Sequence, residues 1–134
     1  MKKQTYTYKT VGDCQIQADV YAASGGPARA AILFIHGGAL ISGSREWIHP
    51  AQLELYLNAG ITVISIDYRL APETKLPGII EDLQDALRWV RERGPELFAI
   101  DPDRLAEVGN SAGGYLTLMA GFCVDPRPRV LVSF

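Results

Sequence analysis

Hydrophobic residues fall into two kinds of pattern along this chain. Near the start, Ile16, Ala18 and Val20 alternate with Gln15, Gln17, Asp19 and Tyr21. A period of two predicts a strand with one dry face and one wet face. The β-prone run over residues 5–10, followed by the Gly12-Asp13 turn signal, makes it one arm of a hairpin. Ser24-Gly25-Gly26-Pro27 is expected to close this unit. Further on the alternation stops. Residues 30–35 (AAILFI) and 61–66 (ITVISI) are unbroken apolar runs, the pattern of strands covered on both faces in a parallel sheet. Residues 105–108 and 130–134 are weaker runs of the same type.

Helical spacing occupies the intervals. One helix is predicted over residues 46–58, ending at Asn58-Ala59-Gly60. A second is predicted over about residues 78–93, with Ile79, Leu83, Leu87 and Val90 on one face. Glu81 and Asp82 near its start and Arg88, Arg91 and Arg93 near its end suit the helix dipole, and Gly94-Pro95 is expected to stop it. Asp101-Pro102-Asp103 reads as a turn, and a third helix is expected from near Ser111 through Tyr115, Leu118 and Met119. Strands alternating with helices predict an α/β fold, a mostly parallel sheet with flanking helices and right-handed crossovers behind an antiparallel N-terminal hairpin.

Composition narrows the function classes. A chain of 134 residues, 48% hydrophobic and without repeats or low-complexity tracts, has the length and the core of a single domain. Its 13 Lys+Arg against 15 Asp+Glu give a net charge of −2, so neither nucleic acid nor a membrane surface is expected as a partner. No apolar run reaches the roughly 18 residues of a membrane span. No apolar stretch follows Met1-Lys2-Lys3, so no signal peptide is expected and the cytoplasm is the default location. Cys14 and Cys123 match no metal or redox spacing and are read as free thiols, and two histidines are few for a zinc site. No metal and no organic cofactor is expected.

Three stretches carry candidate chemistry. Gly109-Asn110-Ser111-Ala112-Gly113 fits G-x-S-x-G between a predicted strand and a predicted helix, the setting of a nucleophile elbow. In that turn the serine hydroxyl points away from the sheet, and the Ala112 amide faces a developing oxyanion. The alternative is an ordinary helix start with Ser111 as N-cap. His36-Gly37-Gly38-Ala39 follows the first buried strand, where a glycine pair lets backbone amides turn toward a bound group; alone it is also a plain strand-exit turn. His36 suits bracing that loop better than acting as a base. Asp67-Tyr68-Arg69-Leu70-Ala71-Pro72-Glu73 follows the second buried strand and reads as a structural loop held by an Asp67–Arg69 pair.

Together and in this order, these stretches resemble the α/β-hydrolase superfamily, in particular the hormone-sensitive-lipase-like (fold-3) esterases. The resemblance includes Gly43-Ser44, Leu76-Pro77, Glu81-Asp82, residues 87–90 (LRWV), residues 101–104 (DPDR) and Gly109 to Gly114. It covers roughly residues 14–134. It implies that Ser111 attacks the carbonyl of a small carboxylic ester, with the amides of Gly38, Ala39 and Ala112 holding the oxyanion. His36, Gly37, Gly109 and Gly113 shape the site. A histidine relays the serine proton, and an acid orients that histidine.

The same resemblance exposes departures. In this family the acid and histidine follow the serine. Here no histidine follows Ser111, and Asp125, between Val124 and Pro126, is the only later acid. The 134 residues are therefore expected to be one incomplete hydrolase domain, truncated after about the sixth strand and nearly inert alone. Losing the histidine of a serine protease costs about 10⁶ in turnover. His49, next to Pro50, is a poor substitute base. Val130, Leu131, Val132 and Phe134 would form an apolar edge, so pairing into a homo-oligomer or poor solubility is expected. Glu107 stands where the family carries an aliphatic residue; Arg104 or another partner must reach it, or the strand is irregular. The alternative to a carboxylesterase is a catalytically dead remnant that binds a ligand or a protein. The same serine chemistry also serves amides and thioesters.

Overall fold

The computed structural model describes residues 2–23 and 29–134. The predicted closing turn at Ser24 to Pro27 lies outside the described residues. Strands β1 (Lys3–Val11) and β2 (Cys14–Tyr21) form the expected antiparallel hairpin. Strands β3 (Arg29–Ile35), β4 (Thr62–Ile66), β5 (Ile100–Gly109) and β6 (Val130–Ser133) follow, and the sheet order is β1-β2-β4-β3-β5-β6. β3 runs parallel to both β4 and β5, and β5 parallel to β6; β2 joins β4 antiparallel. Helices α2 (Leu76–Phe98) and α3 (Ala112–Cys123) cover one face, where Leu33, Ile35, Ile64, Ile66, Leu83, Leu87 and Leu116 pack. Helix α1 (Pro50–Asn58) covers the other with Leu53, against Ile32, Phe34, Val63 and Val108. The unbroken apolar runs of β3 and β4 are thus explained: both faces of both strands are buried.

Several details differ from the sequence expectation. The second face of β2 is wet only toward its start, at Gln15 and Gln17; further along Asp19 is fully buried, its carboxylate meeting Lys3 at 3.2 Å, the Thr5 hydroxyl at 2.6 Å and Arg45 Nε at 3.0 Å. Alternation alone could not reveal that a distant arginine covers that face. The single helix expected over 46–58 is split into a 3₁₀ turn at Arg45–Trp47 and α1. Pro50 disfavours helical backbone at His49, which stays extended and caps α1 by accepting the Ala51 amide on Nδ1.

Helix α2 runs through Gly94-Pro95 to Phe98 and ends at Ala99 in the left-handed region, φ 53°. Packing overrides the stop signal: Phe98 lies among Tyr6 and Trp89, with centroids 6.0 and 5.7 Å away. That length moves Glu81, Asp82 and the arginines out of the terminal turns, so the dipole reading fails. Asp82 instead ties α2 to the preceding loop. It accepts the Arg69 amide at 2.9 Å, meets the Arg69 guanidinium at 2.8 Å and Lys9 at 2.9 Å. Arg69 therefore pairs with Asp82, and Asp67 pairs with Arg45 at 2.5 Å, not with Arg69. The predicted turn at Asp101 to Asp103 is a bulge inside β5. Ile100 pairs with Arg29 and Leu105 with Ala31, and the Asp101 carboxylate accepts the Asp103 amide at 2.9 Å.

Candidate active site

Two loops leave the carboxyl ends of adjacent parallel strands, β3 and β5, and meet there. From β5 the chain passes through Asn110 to Ser111, whose backbone sits at φ 55°, ψ −121°. That region is costly for a residue with a Cβ, about 1–3 kcal/mol, and persists only where the surroundings enforce it. Here the Ser111 amide donates to the Phe134 carbonyl at 2.9 Å, and the Phe134 amide donates to Gly109 at 3.0 Å. The Ser111 carbonyl accepts the Tyr115 amide at 3.0 Å and so starts α3. Ser111 stands at the N-cap position of α3 but makes no side-chain capping bond. Ser111 is an exposed residue at the start of α3.

The tight turn depends on α3 coming close to β3. A Cβ on Gly113 would collide with the Ile35 carbonyl, and Gly113 is buried there. The loop from β3 reaches the serine directly. A Cβ on Gly37 would lie 3.2 Å from the Ser111 Cβ and 3.0 Å from the Asn110 carbonyl oxygen. After Gly37 the chain stays in the left-handed region for three residues: Gly38 at φ 118°, Ala39 at 56° and Leu40 at 65°. The Gly38 carbonyl accepts the amides of Ile41 and Ser42, both at 3.0 Å. Among the described residues, the amides of Gly38, Ala39 and Ala112 donate to no carbonyl. The Leu40 carbonyl accepts the Ala71 amide at 2.7 Å, which ties this loop to the one after β4.

His36 is buried at the base of the loop. Its ring lies parallel to Tyr68 at 4.3 Å, and the Tyr68 hydroxyl donates to the His36 carbonyl at 2.8 Å. Nδ1 lies 2.6 Å from the Gly37 carbonyl, so the Nδ1–H tautomer donates there. Burial pushes the imidazole below its usual pKa, and the Gly37 contact only partly offsets this. His36 is thus a neutral brace, with its donor already engaged. His49 is also engaged, as the cap of α1. The aromatic that follows β4, Tyr68, is the site residue that sequence reasoning missed; its position directly after a buried strand was the available signal.

Beneath the serine, Glu107 points into the apolar face shared by β5, α2 and α3. It is fully buried, and neither carboxyl oxygen has a partner. Arg104 does not reach it. Burial pushes its pKa up to about 9, with only the neighbouring Thr117 hydroxyl pulling the other way, so the group is a neutral acid at pH 7. Among the described residues, no group of three or more His, Cys, Asp or Glu side chains is placed to hold a metal, and no helix is long and apolar enough to cross a membrane.

Comparison with known proteins agrees with this architecture. The alpha/beta hydrolase fold family matches residues 32–131. A non-reducing polyketide synthase of Aspergillus calidoustus is 39% identical over 98% of this chain, which corresponds to 6% of that protein's length. Among solved structures, esterase 2 of Thermogutta terrifontis phosphorylated by paraoxon superposes with a TM-score of 0.81 and 28% identity, over 88% of this chain and 46% of the esterase. Its butyrate-bound form superposes with a TM-score of 0.81 at 29% identity, over 88% of this chain and 44% of the esterase.

Proposed function

We propose that this chain, which belongs to the alpha/beta hydrolase fold family, carries the nucleophile and the oxyanion-binding half of a serine acyl-transfer site acting on small carboxylic esters. The observation that carries this reading is the placement of the His36–Ala39 loop against the exposed, strained Ser111. In the sequence of events, the Ser111 hydroxyl adds to the ester carbonyl, and the developing oxyanion accepts the amides of Gly38, Ala39 and Ala112. The alcohol then leaves with the proton, and water releases the acyl group. Both proton transfers need a general base; His49 Nδ1 caps α1, and the buried His36 holds Nδ1 on the Gly37 carbonyl with Nε2 unpartnered. The reading places the base outside these 134 residues. Without it, the oxyanion site and binding alone sustain about 10³–10⁴ over water.

A second acyl donor is favoured by one observation: the polyketide synthase relative is 39% identical and the esterase neighbours only 28–29%. A thioester places the same carbonyl before the same serine and leaves as a thiol. The test is acylation of the purified chain by p-nitrophenyl butyrate and by a butyryl thioester of N-acetylcysteamine, followed by mass spectrometry of the Ser111 peptide. The expected result is slow acylation of Ser111, sustained by the oxyanion amides and binding alone, that is absent in Ser111→Ala. Acylation confined to other residues, or unchanged in Ser111→Ala, would overturn the reading. The ratio of the two donors' rates separates ester from thioester specificity.

A further inference from the structure

We propose that His36 is a positioning residue for one oxyanion donor: by donating from Nδ1 to the Gly37 carbonyl, it turns the Gly37–Gly38 peptide so that the Gly38 N–H faces Ser111. The inference rests on the reading of Ser111 as nucleophile.

A trans peptide is planar, and its C=O and N–H point in opposite directions. Whatever holds a carbonyl therefore aims the amide of the next residue. The Gly37–Gly38 and Gly38–Ala39 peptides are both trans, and both carbonyls are tied. The Gly38 carbonyl accepts three donors, the Ile41 and Ser42 amides at 3.0 Å and the Ser42 hydroxyl at 3.1 Å. The Gly37 carbonyl accepts His36 Nδ1 at 2.6 Å, and among the described residues no other group donates to it. A carbonyl cannot donate, so Nδ1 carries the proton, and Nε2 is the bare nitrogen left without a partner. The Ala39 amide is thus aimed redundantly by backbone, and the Gly38 amide by a single side chain.

The surroundings hold the ring in place. Tyr68 stacks on it at 4.3 Å and donates its hydroxyl to the His36 carbonyl at 2.8 Å. Trp47 meets its edge, with centroids 6.3 Å apart. Gly43, at φ 102°, lies against the bond itself: a Cβ there would collide with both His36 Nδ1 and the Gly37 oxygen. The Gly37 carbonyl is therefore held on the Gly43 side of the loop, while a Cβ on Gly37 would lie 3.2 Å from the Ser111 Cβ. If the peptide flipped, a carbonyl oxygen would replace the amide and repel a developing oxyanion.

Two readouts on the full chain test this. Residual dipolar couplings of the Gly38 and Ala39 N–H bonds, in a weakly aligned sample without substrate, report where each amide points. His36→Leu removes the donor, and His36→Asn keeps one, because its side-chain nitrogen takes the place of Nδ1. The Gly38 coupling is expected to change in His36→Leu and return in His36→Asn, with the Ala39 coupling constant throughout. Acylation of Ser111 by p-nitrophenyl butyrate should slow about 100-fold in His36→Leu, the effect of one lost oxyanion donor, and recover in His36→Asn. An unchanged Gly38 coupling, a change in both amides together, no recovery in His36→Asn, or unchanged acylation in His36→Leu would overturn the proposal. Should His36→Leu not fold, ¹⁵N NMR of the wild-type imidazole decides: a proton on Nδ1 supports the tie, and a proton on Nε2 alone contradicts it. The couplings do not depend on turnover, so the expected coupling pattern in a chain whose Ser111 is never acylated would sink only the nucleophile reading.

Discussion

The two sides of the sheet treat buried charge in opposite ways. On the hairpin side, Asp19 and Asp82 are fully buried, and each is surrounded by donors: Lys3, Thr5 and Arg45 around the first, Lys9 and Arg69 around the second. Burial works against their ionisation, but these partners win and hold both carboxyls below the usual range. On the elbow side, Glu107 is equally buried and has no cation, so burial wins. The same contrast holds for the backbone. The hairpin side is bound by antiparallel ladders and the Tyr6, Trp89 and Phe98 cluster, whereas the elbow side concentrates the left-handed Ala39, Leu40 and Ser111. One side secures the fold. The other holds backbone in costly conformations at the place where a serine and free amides converge.

Substitutions can break this contrast, beginning with the largest effect. Gly113→Val drives side-chain atoms into the Ile35 carbonyl and is expected to prevent folding, a cost above about 4 kcal/mol; the circular dichroism of the purified variant reads this out. Asp82→Asn strips the charge that pairs with Arg69 and Lys9. It should cost near the lower end of about 3–5 kcal/mol in urea denaturation, because Lys9 keeps Glu81 and Asp85.

The pH dependence sharpens the contrast. The stability that Asp19 and Asp82 contribute is present above their unfolded pKa, near 3.8, and is lost as pH falls through their lowered folded values. The contribution of Glu107 has the opposite sign: it is full below its ordinary unfolded value of 4.5 and is lost as pH rises through about 9. Between those limits the wild-type chain should lose on the order of 1 kcal/mol per pH unit through this group. Glu107→Gln should abolish that slope and be more stable than wild type at pH 8. The smallest effect is Ser111→Gly, which releases the strained backbone and should raise the melting temperature by the equivalent of about 1 kcal/mol while removing the hydroxyl. A destabilised Ser111→Gly would mean the turn is not strained at the serine.

Much of this was legible in the sequence. Continuous apolar runs announced β3 and β4, because strands buried on both faces leave no room for alternation. The G-x-S-x-G and His36-Gly37-Gly38-Ala39 stretches announced the two loops, because close backbone approach leaves glycines behind. What remained hidden was decided by partners distant in sequence. Asp19 looked solvent-facing until Arg45 covered it, and Arg69 looked like the partner of Asp67 until Asp82 of α2 took it. Gly94-Pro95 looked like a stop until Phe98 found Tyr6 and Trp89. Glu107 was recognisable as out of place, but only the fold showed that it is fully buried with neither carboxyl oxygen partnered.

The most direct test of the contrast is a carboxyl ¹³C NMR titration following Asp19, Asp82 and Glu107 in the same sample. The account predicts that Asp19 and Asp82 titrate below the usual carboxylate range, while Glu107 stays protonated through neutrality and titrates near 9. A Glu107 that titrates near 4.5 with the two aspartates would contradict it, because the elbow side would then hold a solvated carboxylate and not a buried neutral acid.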